Sequence, residues 1–340
     1  MKQWYLLLLP AMFPCCIYAQ HSSVTFNPDP TQHRISVSVN GKSFCNFIYP
    51  DNLEKPVLYP IFSPGGHRIT RGYPPAAGES TDHPHHVGLW LNYESVNGLD
   101  FWNNSSAIPA NKKSHYGWIL GVQVTGAHDS TLTYTANWEN QAHHVLLKED
   151  TRFVFRGSKN IRIIDRITTL TAQRDSVHFD DMKDGMLGLR VVKSLELPDT
   201  ARSFTDAQGN VTTVAASGSG ATGNYLTSTG KTGNEAWGTR GEWCMLYGEV
   251  EKEEVAVVIF DHPENPGFPT YWHARNYGLF AANPLGHKVF SNGLQTLNFS
   301  LAPGASATFR YRIIIYSGPT PGAAALNEQA EQFSSIKIHS

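Results

Sequence analysis

The chain has 340 residues, 41% of them hydrophobic and 11% aromatic, which is enough to bury a sizeable core and too much for general disorder. Its 27 Lys and Arg against 29 Asp and Glu give a formal net charge of -2, with no basic run. That excludes the electrostatic footprint of a nucleic-acid binder and favours a neutral or mildly charged small molecule as partner.

The N-terminus reads MKQWYLLLLPAMFPCCIYAQ, with one lysine, a short apolar run from Trp4 to Ile17 and Ala19 as a cleavage point. Broken by Pro10 and Pro14, the run is too short to cross a bilayer, so residues 1-19 are expected to be a signal peptide. A lipid anchor at Cys15 or Cys16 fits less well, because Phe13 and Pro14 stand where small or aliphatic residues are wanted. The mature protein, 20-340, is then exported, periplasmic or secreted. It retains Cys45 and Cys244, either one long-range disulfide or two buried thiols.

From Val24 to Phe62, short runs such as ISVSV (Ile35–Val39) alternate with turn signals, Asn40-Gly41 among them, which predicts antiparallel strands. His67 to Arg71 reads as a further short strand leading into a proline-rich loop, Tyr73 to Gly78. Then comes the most unusual stretch, Gly78 to Asn103, with Asp82, His83, His85 and His86 within five residues, followed by Trp90, Asn97, Asp100 and Trp102. Imidazoles titrate near 6.5 and offer a neutral lone pair, so such a cluster can exchange protons or hold a metal. Pro84 keeps His83 out of helical geometry. If the backbone is extended, His83 and His85 share one face and His86 takes the other.

Ser114 to Ala172 carries long alternating spans that predict the strands of a large antiparallel sheet. In NIRIIDRITTL, Ile161, Ile163, Asp165 and Ile167 fall on one face, and Arg162 and Arg166 on the other. Ser176 to Leu197 is strand-like yet polar through Asp180, Asp181, Lys183 and Asp184, groups that burial tolerates only with partners. Ala215 to Gly233, rich in Gly, Ser and Thr, reads as a long flexible loop. Strand character resumes at Trp243 to Gly248 and Val255 to Asp261.

A second polar cluster follows, DHPENPGFPTYWHARNYGLFAANP, with Asp261, His262, Trp272, His273, Arg275 and Tyr277 on a stretch stiffened by three prolines. We expect it to face the histidine cluster across one site. Leu294 to Leu301 and Thr308 to Ser317 look like two closing strands turned at Pro303-Gly304, and Thr320-Pro321 looks like the cap of a helix over about 321-334. The expected fold is all-β: one large antiparallel two-sheet sandwich with a short C-terminal helix.

The motifs DHPHHVGLW, VNGLDFW, DGMLGLR, AWGTRGEW and DHPENPGFPTYWHARNYGLFAANPLG span roughly Phe62 to Ser317. Together they resemble the exported bacterial family labelled PmoA-like, or "methane oxygenase PmoA". That resemblance implies a supersandwich of the galactose-mutarotase-like type and a role beside sugar oxidoreductases and carbohydrate-degrading proteins.

The expected activity is therefore lyase, epimerase or hydrolase chemistry on a sugar or oxidised sugar by proton transfer. Its acid is His83 or His273, and Asp82, Asp181 or Asp261 is base or orienting partner. Substrate contacts are expected from Arg71, His85, His86, Trp102, Lys183, Arg190, Arg240, His262, Trp272, Arg275 and Tyr277, where arginines offer forked donors and tryptophans a flat face. The same residues have a plainer reading: the histidines fix a polar loop, Arg275 pairs with an acid for structure, and the tryptophans are core. No cofactor is assigned, and a divalent metal stays open. One alternative is a metal-dependent oxygenase, as the family label implies; a divalent metal would use His83 and His85 with a carboxylate or His273 from across the sheet. A non-catalytic sugar-binding module is the remaining alternative.

Overall fold

The computed structural model describes residues 22-198, 202-205, 211-214 and 220-336. The expected signal peptide and part of the Gly/Ser/Thr loop lie outside them.

Among the described residues twenty strands and two α-helices follow one another. First come β1 (Val24–Asp29), β2 (Arg34–Val39), β3 (Lys42–Ile48), β4 (Val57–Ile61) and β5 (Leu89–Tyr93). The long hairpins are β6 (Trp118–His128), β7 (Thr131–Glu139), β8 (Val145–Gly157) and β9 (Ile161–Ala172). Next are β10 (Val177–His178), β11 (Gly185–Arg190), β12 (Arg202–Thr205), β13 (Val211–Val214), β14 (Asn224–Thr227), β15 (Trp243–Val250) and β16 (Glu253–Asp261). The chain closes with β17 (Tyr271–Ala274), β18 (Leu279–Asn283), α1 (His287–Phe290), β19 (Ser300–Leu301), β20 (Ser306–Ser317) and α2 (Ala323–Ser334).

Two eight-stranded antiparallel sheets result, ordered β1-β2-β3-β4-β5-β11-β18-β17 and β14-β15-β16-β20-β9-β8-β7-β6. The alternation read from the sequence is what builds them. Leu89, Leu91, Leu187, Leu189, Phe280 and Ala282 turn inward from the first sheet to meet Phe153, Phe155, Ile164 and Ile313 from the second. The intervening residues Trp90, Leu279 and Ala281 form a smaller cluster on the far face of the first sheet, under its loops. On the far face of the second sheet, Leu326, Ala330 and Phe333 of α2 cover Val258, Phe260 and Ile314.

Several local expectations are corrected. His67 to Arg71 makes only isolated bridges, Phe62 with Arg68 and Thr70 with Val191. Asn224 to Thr227, inside the expected loop, pairs with β15, since Tyr225 and Thr227 bury on alternate positions. The closing strands do not form a hairpin: β19 pairs with β10, while β20 inserts between β9 and β16. The cap of α2 is Gly322, with no side-chain bond, rather than Thr320. In β9 the arginine-bearing face is the one turned inward, and the isoleucine face, Ile161 and Ile163, packs toward α2.

Cys45 on β3 and Cys244 on β15 are buried free thiols, not a disulfide. Burial pushes both thiols up. Among the described residues no helix is long and apolar enough to cross a membrane.

Candidate functional site

The site lies on the far face of the first sheet. One cross-strand row runs Trp90–Gly188–Ala281–His273 over β5, β11, β18 and β17. A Cβ at Gly188 would stand 2.5 Å from the Trp90 ring and 2.8 Å from Trp102, so only glycine lets the two indoles, 5.0 Å apart, settle on the sheet.

Over this row folds the loop after Thr70, and Arg71 shapes it. Its guanidinium donates to the carbonyls of Ser80 (3.2 Å), Asp82 (2.6 Å), His83 (2.9 Å) and His86 (3.0 Å) and to Asp82 Oδ1 (3.1 Å). The His86 amide donates to the His83 carbonyl at 3.0 Å, and His83 has φ 45°, so Pro84 and His85 form a turn. The extended geometry expected for His83 to His86 is therefore absent. Instead of pointing away, His86 stacks on His83 with centroids 4.7 Å apart, and the His85 ring meets His86 edge-on at 4.3 Å.

Asp82 is the electrostatic centre of this loop. Arg190 Nη2, fully buried at the end of β11, donates to Asp82 Oδ1 at 2.8 Å, and Nη1 donates to Oδ2 at 3.2 Å. His83 Nδ1 lies 2.5 Å from Oδ2. Burial alone would raise the Asp82 carboxyl, but the His83 and Arg190 contacts outweigh it and hold the group well below the usual carboxylate range. Arg190 Nη1 also stands 3.3 Å from His86 Nδ1, which makes that nitrogen the acceptor. Burial, then the neighbouring imidazoles and arginines, keep His85 and His86 well below the usual histidine range, hence neutral.

The distant cluster meets this loop through Tyr277, whose ring stacks on His83 at 4.9 Å and carries the Arg190 guanidinium at 5.1 Å. Nearly two hundred residues of chain are thus closed by ring contacts of Tyr277 with His83 and His86. Beside it, Asp184 takes a hydrogen bond from Lys183 Nζ at 2.6 Å and leaves Oδ1 3.3 Å from His273 Nδ1. The His273 nitrogen is close enough for an ion pair yet makes no hydrogen bond, because its direction is wrong; we take the contact as electrostatic only. Burial lowers His273 to about 3 against the opposing pull of Asp184, so it is neutral in the fold. Glu94, one residue past β5, accepts the Asp184 amide at 3.2 Å. Its carboxyl is raised to about 8, first by burial and then by Asp184. Asp100 is raised to about 6 by burial. Lys55, donating to the His85 carbonyl at 2.8 Å under the Trp90 ring, is lowered to about 8 by burial.

Of the sequence candidates, Asp82, His83, His85, His86, Arg71, Arg190, Trp102, Lys183, His273 and Tyr277 come together here, with Arg275 over the Tyr277 ring at 5.7 Å. Others are employed elsewhere. Asp181 accepts the amides of Lys288, Leu297 and Asn298. Asp261 accepts from Asn265 Nδ2 (2.7 Å) and the Thr270 amide (2.8 Å). His262 lies edge-on to Phe333 of α2 at 5.0 Å, and Arg240 donates to the carbonyls of Gly267, Phe268 and Pro269. Trp272 is fully buried between the sheets. Arg71 and Arg190, expected to grip substrate, grip Asp82 instead.

Glu94, Asp184, Asp100 and Lys55 are not among the site residues expected from the sequence, although Asp100 and Asp184 lie in the two polar stretches noted there. The available signal was the polar content of the segment carrying Asp184, which also offered Asp181. Among the described residues no three His, Cys, Asp or Glu side chains are arranged to hold a metal ion, so His83, His85 and His273 do not form the ligand set expected of them.

The chain belongs to a family of unknown function, DUF6807, whose model matches residues 34–331. No curated protein matches it. Among solved structures it is similar to a galactose mutarotase-like protein from Clostridium acetobutylicum, at 10% identity over 88% of this chain and 100% of that one, TM-score 0.38. A putative aldose 1-epimerase from Escherichia coli K12 gives 10% identity, 87% and 100% coverage, and TM-score 0.38. An α-galactosidase from Geobacillus stearothermophilus gives 9%, 87% of this chain but 41% of that one, and 0.40. The two-sheet architecture rests on this chain's own pairing.

Proposed function

We propose that this protein is an exported carbohydrate-active enzyme that moves protons on a sugar or oxidised sugar, with the Asp82–His83 pair as its working base. One observation carries the reading. A short Asp–His contact is braced from behind by two buried arginines, while the His83 side chain keeps 17% of its surface exposed. A structural ion pair needs no imidazole at the surface. A base does, because its ring must reach a proton on the ligand while a fixed carboxylate orients the other nitrogen.

Tyr277, buried beneath His83, holds the imidazole flat, while the exposed edge of His83 and Lys183, with 42% of its side chain exposed, stand open to a ligand. Those are contacts that a hydroxyl-rich ring carrying a carbonyl or carboxylate would use. The PmoA-like resemblance also points to sugars. His273, buried and neutral, serves in this reading as a neighbour of Asp184 rather than as the acid.

The test is turnover. The mature protein is incubated with aldoses, keto-sugars and uronates and the products followed by proton NMR, with His83→Ala and His83→Asn compared on whichever sugar is consumed. Loss of about a hundred- to ten-thousand-fold is expected. Wild-type rates in both variants would overturn the assignment. N-terminal sequencing of protein recovered outside the cytoplasm, starting near Gln20, tests export.

A further inference from the structure

Beside Lys183 and His273 stands a pair of carboxyl groups that the reading above leaves idle. Glu94 follows β5 and Asp184 precedes β11, and the two adjoining strands bring them together through reciprocal backbone contacts. The Glu94 amide donates to the Asp184 carbonyl at 2.9 Å, and the Asp184 amide donates to Glu94 Oε2 at 3.2 Å. Both residues are buried, with Glu94 8% exposed and Asp184 6%.

Two carboxylates this close in a poorly hydrated place do not both ionise, and the neighbours decide which one keeps its proton. Asp184 takes the cation: Lys183 donates to it at 2.6 Å, with the neutral His273 ring 3.3 Å away. Glu94 receives a single backbone donor. The charged and titratable groups that act on it are Asp184, Lys183 and Asp100, with the Tyr93 phenol beside it.

We propose that Glu94 is the proton donor of this site, the acid that works against the His83 base, and that Asp184 is its fixed anionic neighbour. This rests on the function proposed above and narrows it. With an imidazole base, a carboxylic acid and an exposed lysine in one place, the chemistry suited to the site is removal of a proton next to a carbonyl or carboxylate. His83 takes the C–H proton, Lys183 faces the oxygen where negative charge collects, and Glu94 gives its proton to the departing oxygen or to the opposite face of the carbon. Each turnover leaves His83 protonated and Glu94 ionised, and one proton passed between them through solvent restores both. Electrons stay within the substrate, and no oxidant is needed. The substrate class is then a sugar bearing a ketone or a uronate carboxyl.

The test needs no substrate. Infrared difference spectra of the folded apo protein, wild type minus Glu94→Gln, are taken from pH 5 to 10 in water and deuterium oxide. Subtraction removes the other protonated carboxyls, since they are common to both proteins. A protonated-carboxyl band that is lost in the variant and titrates with a midpoint near 8 is expected; Glu94→Asp should restore such a band. Absence of any lost band at pH 6 overturns the proposal even if His83 proves essential. A lost band together with full turnover in Glu94→Gln also overturns it, by making the proton a structural one. For an active sugar, the alkaline limb of kcat/KM should disappear in Glu94→Gln while KM changes less than kcat.

Discussion

Between the sheets, Glu149 accepts from the Tyr134 hydroxyl (2.6 Å), Trp138 Nε1 (2.8 Å), the Thr151 hydroxyl (2.7 Å) and Arg166 Nη2 (3.0 Å), with both charges essentially sealed from solvent. On the far face of the first sheet, Asp82 is also gripped by buried arginine, yet its remaining partner is an imidazole that reaches the surface. Both groups carry buried charge and both are held by forked donors. They differ in where the last hydrogen bond goes: the Glu149 network closes upon itself, whereas the Asp82 network ends on a side chain able to touch something that arrives. Among the described residues Trp90 Nε1 and His85 Nε2 make no hydrogen bond, but neither do Trp272 Nε1 and the Tyr311 hydroxyl in the sealed core, so an unpaired donor does not separate the two regions. Ionic burial does not separate the two regions; the exposed end of the Asp82 network does.

The largest effect should come from breaking the closed network. Glu149→Ala strands Arg166 in the core and should cost about 3–5 kcal/mol of unfolding free energy by denaturant titration. A loss below about 1 kcal/mol would mean water or neighbouring hydroxyls can replace the carboxylate, and the contrast with Asp82 would collapse. His83→Ala should behave the opposite way, losing nearly all turnover while its midpoint of unfolding barely moves, because only the exposed end of the Asp82 network is cut.

Asp261 gives an intermediate case, closed but strained. It is buried with only amide donors, and burial raises it to about 7. The folded state therefore binds a proton that the unfolded state, with an ordinary value of 3.8, has released. Its contribution to stability is full below pH ~4 and is lost as pH climbs to about 7, at up to about 1.4 kcal/mol per pH unit. Asp261→Asn loses an acceptor at all pH values but should flatten that slope between pH 4 and 7. Equal slopes in the two proteins would place the ionised form in the fold, and the carboxyl would then join Glu149 as a satisfied charge.

The same contrast explains how far the sequence could be followed. Strand alternation set the two sheets, because a period of two on a half-buried surface leaves little choice. Asp82, His83 and Tyr277 were noticeable because such residues are costly to crowd in one loop. Asp261, His262 and Arg240 looked equally promising, and what separates them is tertiary: their partners come from backbone carbonyls, amides and α2, none of which composition reveals. The face expected to be shared by His83 and His85, with His86 on the other, failed for a local reason, a turn at Pro84 and His85 that converts an alternating strand into a stack. Glu94 and Asp184 were hidden by distance, since nothing in Tyr93-Glu94 or Lys183-Asp184 says that the two strand ends adjoin.

The smallest effect lies at the rim. Trp237 is 39% exposed, packs against Phe290 at 5.6 Å and lies under the Arg275 guanidinium at 5.7 Å, while the same guanidinium also covers Tyr277. If a sugar ring rests on this aromatic edge while His83 works above Tyr277, Trp237→Ala should raise KM about 3- to 10-fold, or roughly 1 kcal/mol of stacking, and leave kcat and the unfolding midpoint unchanged. An unchanged KM would confine the ligand to His83, Lys183 and their carboxylates. A fall in kcat with KM intact would instead show that Trp237 acts through Arg275 and Tyr277 on the His83 stack, tying the rim to the proton-transfer end of the Asp82 network.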